Sequence, residues 1–363
     1  MYLIILTSDE PWGDVWMPQL VYAYELSKKY DVIYINPPAR WSIKNLFSKG
    51  KPSFRYNDNL IIFQYHNIFP VRIFSNFIIQ MNDFFNSLRL KKETRKQNKK
   101  VITWRFDTHR FRKFTGIPAF KSIYHVIDPY MTVENDKTMA KEADLVISTS
   151  PKYEEHYRRF NKNVLVIPHG VTLEEQAPDA EKVNELKKEY GSYFLCLGSI
   201  SSHTNMDILE RVSQEFPGNI ILVVGPVKAH DSETTTRFYE FIKNKNVKYT
   251  GPRHGLELKN YVAASAVCIV PYVDLAALNT NRSPMRILSY IAQYKPVINT
   301  VDSEIPELEN KIIYTSMDPQ KFCDFIKKAL AGELVVDKKA VDAYMNKIEY
   351  SGLIDNIMNK LLN

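Results

Sequence analysis

The stretch that decides the reading of this chain is Cys268-Ile269-Val270-Pro271-Tyr272, followed after a loop by Ser283-Pro284-Met285-Arg286-Ile287-Leu288-Ser289-Tyr290-Ile291-Ala292. The first run is apolar and too short for a helix, so it reads as a buried strand. In the second, Ser283 suits a helix N-cap and Pro284 the first turn, where a missing N–H costs nothing. Pro296-Val297-Ile298-Asn299 then returns to strand character. Strand, helix and strand in this order make a parallel βαβ unit. Working outward, the alternation continues in both directions. Strands are expected near 193–198, 219–224, 247–250, 267–271, 296–299 and 311–314, and before them near 2–7, 31–36, 60–65, 101–105, 122–127, 144–148 and 164–167.

A chain of 363 residues exceeds the usual single-domain size. The pattern predicts an α/β protein of two Rossmann-like, doubly wound parallel-sheet domains facing a central cleft. Thr172 to Ala180 is polar and aperiodic and reads as the linker. The expected division is therefore 1–171, 172–335 and a helical segment 336–363. No run approaches the ~18 apolar residues of a membrane span, and Tyr2-Leu3-Ile4-Ile5-Leu6 lacks the basic flank of a signal peptide. Cys196, Cys268 and Cys323 lie far apart in apolar segments, as reduced core thiols of a cytoplasmic chain would.

Only 12 glycines are present. Gly198, Gly225 and Gly251 each directly follow a predicted strand of the second half, where an open α/β sheet binds its ligand. The Ser283–Pro284 junction offers free N–H groups to an anion, with Arg286 one turn on to add a charge-assisted contact. A capped helix with a solvated arginine is the plainer alternative. Neither a dinucleotide fingerprint nor a P-loop occurs.

The run Ser283-Pro284-Met285-Arg286-x-x-x-Tyr290-x-Ala292-x-x-Lys295-Pro296-Val297 resembles the donor-site helix of group 1 GT-B glycosyltransferases. Ala143-Asp144-Leu145-Val146-Ile147-Ser148-Thr149-Ser150, then Val166-Ile167-Pro168-His169-Gly170-Val171, is similar to that family's exit from its N-terminal domain. Leu197-Gly198-Ser199-Ile200 and Tyr249-Thr250-Gly251 match its C-terminal strand ends, so the resemblance runs in order from about residue 1 to 330. Retaining members carry a Glu-x7-Glu pair, and the aligned positions here are Asn281 and Ser289. The pattern looks closer to teichuronic-acid-type and xanthan glucuronosyltransferase-type bacterial enzymes. This resemblance implies transfer of a sugar from a nucleotide donor, UDP-linked, to a glycan or lipid-linked glycan, with no metal and no further cofactor. It assigns the donor to Gly198, Ser199, Gly225, Gly251, Arg253, Tyr272, Ser283, Pro284, Met285, Arg286 and Ser289. A sugar-nucleotide epimerase of the same fold and a non-catalytic nucleotide-sugar binder are the competing readings.

An inverting transfer needs one base to take the acceptor proton. Asp128, directly after Ile123-Tyr124-His125-Val126-Ile127, is the first candidate, with Asp14, Asp107 and Glu134 in reserve. A turn-forming or helix-capping Asp is the alternative for Asp128. Trp12, Gly13 and Asp14, after the first strand, and His169, near the linker, are expected on the acceptor side.

Charge is uneven. Residues 1–170 hold 26 basic and 16 acidic side chains, net +10, whereas 171–363 hold 22 and 25, net −3. Within 69–100, Ile73, Phe77, Met81, Phe84 and Leu88 recur at helical spacing and a crowd of Lys and Arg follows. Two readings fit: a core-facing helix with a solvated charge run, or a helix that touches an anionic membrane, the chain being peripheral there. No nucleic-acid-binding motif accompanies the charge.

Overall fold

The computed structural model of the chain describes residues 2–13, 17–38, 41, 53–70, 75–95, 98–111, 113–127, 134–228, 232–253, 255–273 and 285–363. The chain forms two compact units, Met1–Pro168 together with Tyr350–Asn363, and His169–Glu349.

Unit 1 runs β1 Tyr2–Thr7, α1 Pro18–Ser27, β2 Asp31–Ile35, β3 Phe54–Asn57, β4 Leu60–Phe63, α2 Ser75–Arg95, β5 Lys100–Arg105, β6 Ala119–Val126, α3 Glu134–Glu142, β7 Leu145–Ser148, α4 Pro151–Arg158 and β8 Val164–Val166. Its sheet has the order β3-β4-β2-β1-β5-β6-β7-β8, parallel throughout except that β3 runs antiparallel to β4. Alternate residues of β1 feed opposite cores, Ile4 and Leu6 one and Leu3 and Ile5 the other, because strand side chains alternate faces and both faces are covered. β3 had no signal in the sequence: its four residues are mostly exposed and sit at the sheet edge.

Unit 2 runs α5 Ala180–Tyr190, β9 Tyr193–Leu197, α6 Met206–Glu215, β10 Ile220–Val224, α7 Ser232–Phe241, β11 Val247–Tyr249, α8 Leu258–Ala264, β12 Val267–Val270, α9 Met285–Ile291, β13 Val297–Asn299, β14 Ile313–Thr315, α10 Pro319–Leu330 and α11 Lys338–Lys347. Its parallel sheet has the order β11-β10-β9-β12-β13-β14. Tyr193, Leu195 and Leu197 face one core and Phe194 and Cys196 the other. All three cysteines are free and buried.

Two expectations change. Residues 172–180 are no linker: the Lys259 ammonium donates to the Glu175 carbonyl at 3.0 Å, the Gln293 amide to Gln176 O at 2.7 Å, and the Asp179 N–H to Asn260 Oδ1 at 2.8 Å, all within unit 2. Nor is 336–363 one segment. α11 belongs to unit 2, while the last helix, α12 (Tyr350–Leu362), joins unit 1. Its Leu353, Ile354, Ile357, Met358 and Leu361 form a stripe at helical spacing that enters the core with Ile4, Leu20 and Tyr22. Lys29 pairs with Asp355 at 2.7 Å on the rim.

Candidate functional site

In unit 2 the chain starts at the central strand β9, builds β10 and β11 on one side, and crosses to β12 on the other. The strand order therefore reverses between β9 and β12, which is where a doubly wound sheet opens a crevice beyond its carboxyl ends. Gly198 follows β9 and Tyr272 lies two residues past β12.

Arg286, in the first turn of α9, fills that position. Its Cζ lies 4.9 Å from the centre of the Tyr272 ring, a cation–π arrangement. Gly198 has φ +104°, and a Cβ built on it would stand 2.5 Å from Arg286 Nη2 and 2.6 Å from Cζ. Glycine at 198 thus makes room for the guanidinium. Gly225, φ +151°, comes closer still to its neighbour: a Cβ there would lie 2.2 Å from Gly198 O. The Gly225 N–H donates to Gly251 O at 3.0 Å, so the three glycines continue the order of β9, β10 and β11 past the strand ends. Tyr272 is held from behind by Thr300, whose Oγ1 accepts from the Tyr272 N–H and donates to the Tyr272 carbonyl, both at 2.7 Å. One turn after Arg286 on α9, the buried Tyr290 hydroxyl accepts from the Leu197 N–H at 2.8 Å and ties the helix to the end of β9.

The electrostatics favour an anion. Burial works against the Arg286 charge, but Tyr272 and Tyr290 outweigh it and the pKa is raised. Among the described residues no carboxylate pairs with this half-buried cation, so a ligand phosphate would be its counter-charge. Ser289, three residues on, shares a face of α9 with Arg286 and is half-buried, as are Ser199 and Met285. Arg253 is exposed and not drawn into this group. Ser283, Pro284 and Asn281 lie outside the described residues. Tyr290 stood in the motif without an assigned role, and Thr300 had no local signal, since it is 28 residues from its partner.

In unit 1 the order reverses between β1 and β5. After β1, the Trp12 N–H donates to Asn36 Oδ1 at 2.8 Å, and the indole meets Tyr34 and Tyr56 edge-on at 5.2 and 4.9 Å. Gly13 is exposed. After β5, Asp107 is buried and clamps Arg110, whose Nη2 also donates to Ser8 O at 3.3 Å, while the His109 N–H donates to Asp107 Oδ1 at 2.7 Å. Asp107 thus serves as a structural counter-ion joining the loops after β1 and β5. Asp14, Asp128 and the Glu134 side chain lie outside the described residues. Among the described residues no cluster of His, Cys, Asp or Glu could hold a metal ion, and no helix is long and apolar enough to cross a membrane.

His169 is buried, and desolvation lowers its pKa to about 4. The unfolded chain, with an ordinary imidazole pKa of 6.5, takes up the proton first as pH falls. Stability is therefore full above about pH 6.5 and is lost between 6.5 and 4, by up to about 3 kcal/mol. His169→Gln should flatten that part of the pH–stability curve measured by urea unfolding; an unchanged slope would mean that other groups carry it.

No protein-family model matches the chain. One curated relative, TuaH of Bacillus subtilis (strain 168), named provisionally as a teichuronic acid biosynthesis glycosyltransferase, is 24% identical over 170 residues; the match spans 46% of this chain and only 41% of TuaH. Solved structures match over their whole length at low identity. Sucrose-phosphate synthase from Thermosynechococcus elongatus has TM-score 0.71 and 14% identity, covering 100% of this chain and 99% of the other. Anabaena HepE in complex with UDP-glucose gives 0.69 and 14%, covering 99% of each. The UDP-GlcNAc 2-epimerase of Methanocaldococcus jannaschii gives 0.56 and 14%, covering 100% of this chain and 99% of its own. Two doubly wound parallel-sheet units in series, matched end to end by sucrose-phosphate synthase and HepE, identify the fold of this chain as that of the GT-B glycosyltransferases.

Proposed function

We propose that the chain is a glycosyltransferase which binds a UDP-linked sugar in unit 2 and passes it, with inversion, to a hydroxyl of a glycan or lipid-linked glycan met by unit 1. The observation that carries this reading is the half-buried Arg286 guanidinium, seated on Gly198, stacked on Tyr272 and without a carboxylate partner among the described residues. It stands at the strand-order reversal, where a nucleoside diphosphate would bring the missing negative charge. The UDP-glucose complex of HepE supports UDP as the nucleotide, and TuaH supports a part in bacterial surface polysaccharide synthesis. The transfer is taken to need no metal, Arg286 supplying the positive charge at the leaving diphosphate.

Arg286→Ala should weaken UDP binding by about 1.5 to 3 kcal/mol, the worth of a charge-assisted hydrogen bond, or roughly 10- to 150-fold in Kd. Calorimetry with UDP reads this directly, and an unchanged Kd would remove Arg286 from the site. The epimerase of the same fold is the second reading. Incubation with a UDP-sugar and no acceptor separates the two, since an epimerase converts the sugar while a transferase leaves it largely intact.

A further inference from the structure

We propose that the outward face of α2 is a docking surface for an anionic phospholipid bilayer. The helix turns a largely polar face inward, with Leu90 its one fully buried apolar residue among those described. Asn82, Asp83, Asn86 and Ser87 are buried, whereas Phe77, Phe84 and Leu88 are 67%, 44% and 40% exposed. Seven- and four-residue spacings put these three on one side of a helix, and Phe85, also exposed, meets Phe84 edge-on at 5.3 Å. Hydrogen bonds lock this orientation: Asn82 Oδ1 accepts from the N–H groups of Ile68 and Phe69 at 2.8 and 2.9 Å, and its Nδ2 donates to Phe69 O at 3.0 Å. Of the apolar stripe, Phe77, Phe84 and Leu88 are thus turned to solvent and Met81 is half-buried, and α2 reaches the core through Leu90 instead.

The occupant follows from charge. Lys92 and Arg95, four and seven residues beyond Leu88, continue the same stripe, and both are exposed, as is Arg89. The acidic residues of α2 are Asp83, buried, and Glu93, half-buried. A second copy laid antiparallel would set this basic end against an apolar end with no carboxylate to meet it. An anionic bilayer answers both halves at once. The apolar part, roughly 16 Å long at 1.5 Å per residue, enters the headgroup–acyl boundary while the cations meet lipid phosphates. The excess of +10 over residues 1–170 acts in the same direction. The proposal does not depend on the transferase reading, and its test involves no turnover.

The test is co-sedimentation of the full chain with phosphatidylcholine vesicles and with mixed phosphatidylcholine–phosphatidylglycerol vesicles. Binding should require phosphatidylglycerol and weaken at high salt. Phe77→Ser/Phe84→Ser/Leu88→Ser should weaken it tenfold or more, and Arg89→Ser/Lys92→Ser/Arg95→Ser by roughly fivefold per charge. Both variants should keep the native far-UV spectrum and a cooperative melting transition, the apolar one at a slightly lower temperature because Phe84 and Leu88 are partly buried. Equal binding to both vesicle types, or undiminished binding by the apolar variant, would overturn the proposal. So would a native chain that is dimeric in solution and becomes monomeric in the apolar variant, for then a second copy covers the face.

Discussion

Asp128→Asn should lower turnover by roughly 10²- to 10⁴-fold and leave UDP affinity nearly unchanged, the loss expected when a general base is removed. In the sequence the residue comes two positions after Val126, the last residue of β6. In the proposed transfer the acceptor O–H gives its proton to this carboxylate as the oxygen forms its bond to the anomeric carbon. The bond to the leaving diphosphate breaks on the opposite face, and Arg286 receives the charge. An α-linked donor then gives a β product, readable by NMR of the isolated glycoside, at a rate that EDTA leaves unaltered. Asparagine keeps the shape and removes the proton acceptor. An α product, or near-native turnover in the variant, would sink this assignment. Asp14 and Glu134 would be tried next, while Asp107 falls in rank because Arg110 already holds it in a buried pair.

Gly225→Ala destabilises unit 2 by about 3 kcal/mol or more, from the strain of a positive φ and the overpacking of a filled site. The obstacle, Gly198 O at 2.2 Å from the added Cβ, is main chain and cannot step aside without pulling β9 and β10 apart. For a unit of this size the melting temperature should fall by roughly 6 to 12 °C. Gly198→Ala provides the contrast. Its added Cβ meets the far end of Arg286, a flexible side chain that can swing away. This variant should lose less stability than Gly225→Ala, yet lose UDP affinity nearly as Arg286→Ala does. Calorimetric scanning and UDP titration of the two variants check the order, and equal melting temperatures would contradict this account of the packing.

Much of this was legible in the chain itself, for a local reason. Parallel strands buried on both faces are short continuous apolar runs, and glycine suits a close approach of backbone at their ends, so the two sheets and Gly198, Gly225 and Arg286 could be picked out by inspection. What the sequence could not carry was anything that depends on contacts between distant residues. Thr300 bracketing Tyr272, and Asp107 spent on Arg110 rather than left for catalysis, are such contacts. The return of α12 to unit 1 is another, since an amphipathic stripe states that it will be buried but not in which core. α2 is the sharpest case. Its periodicity announced an apolar face, and only the tertiary structure decided that Phe77, Phe84 and Leu88 of that face look outward, with Asn82 tied on the inner side to the backbone of Ile68 and Phe69.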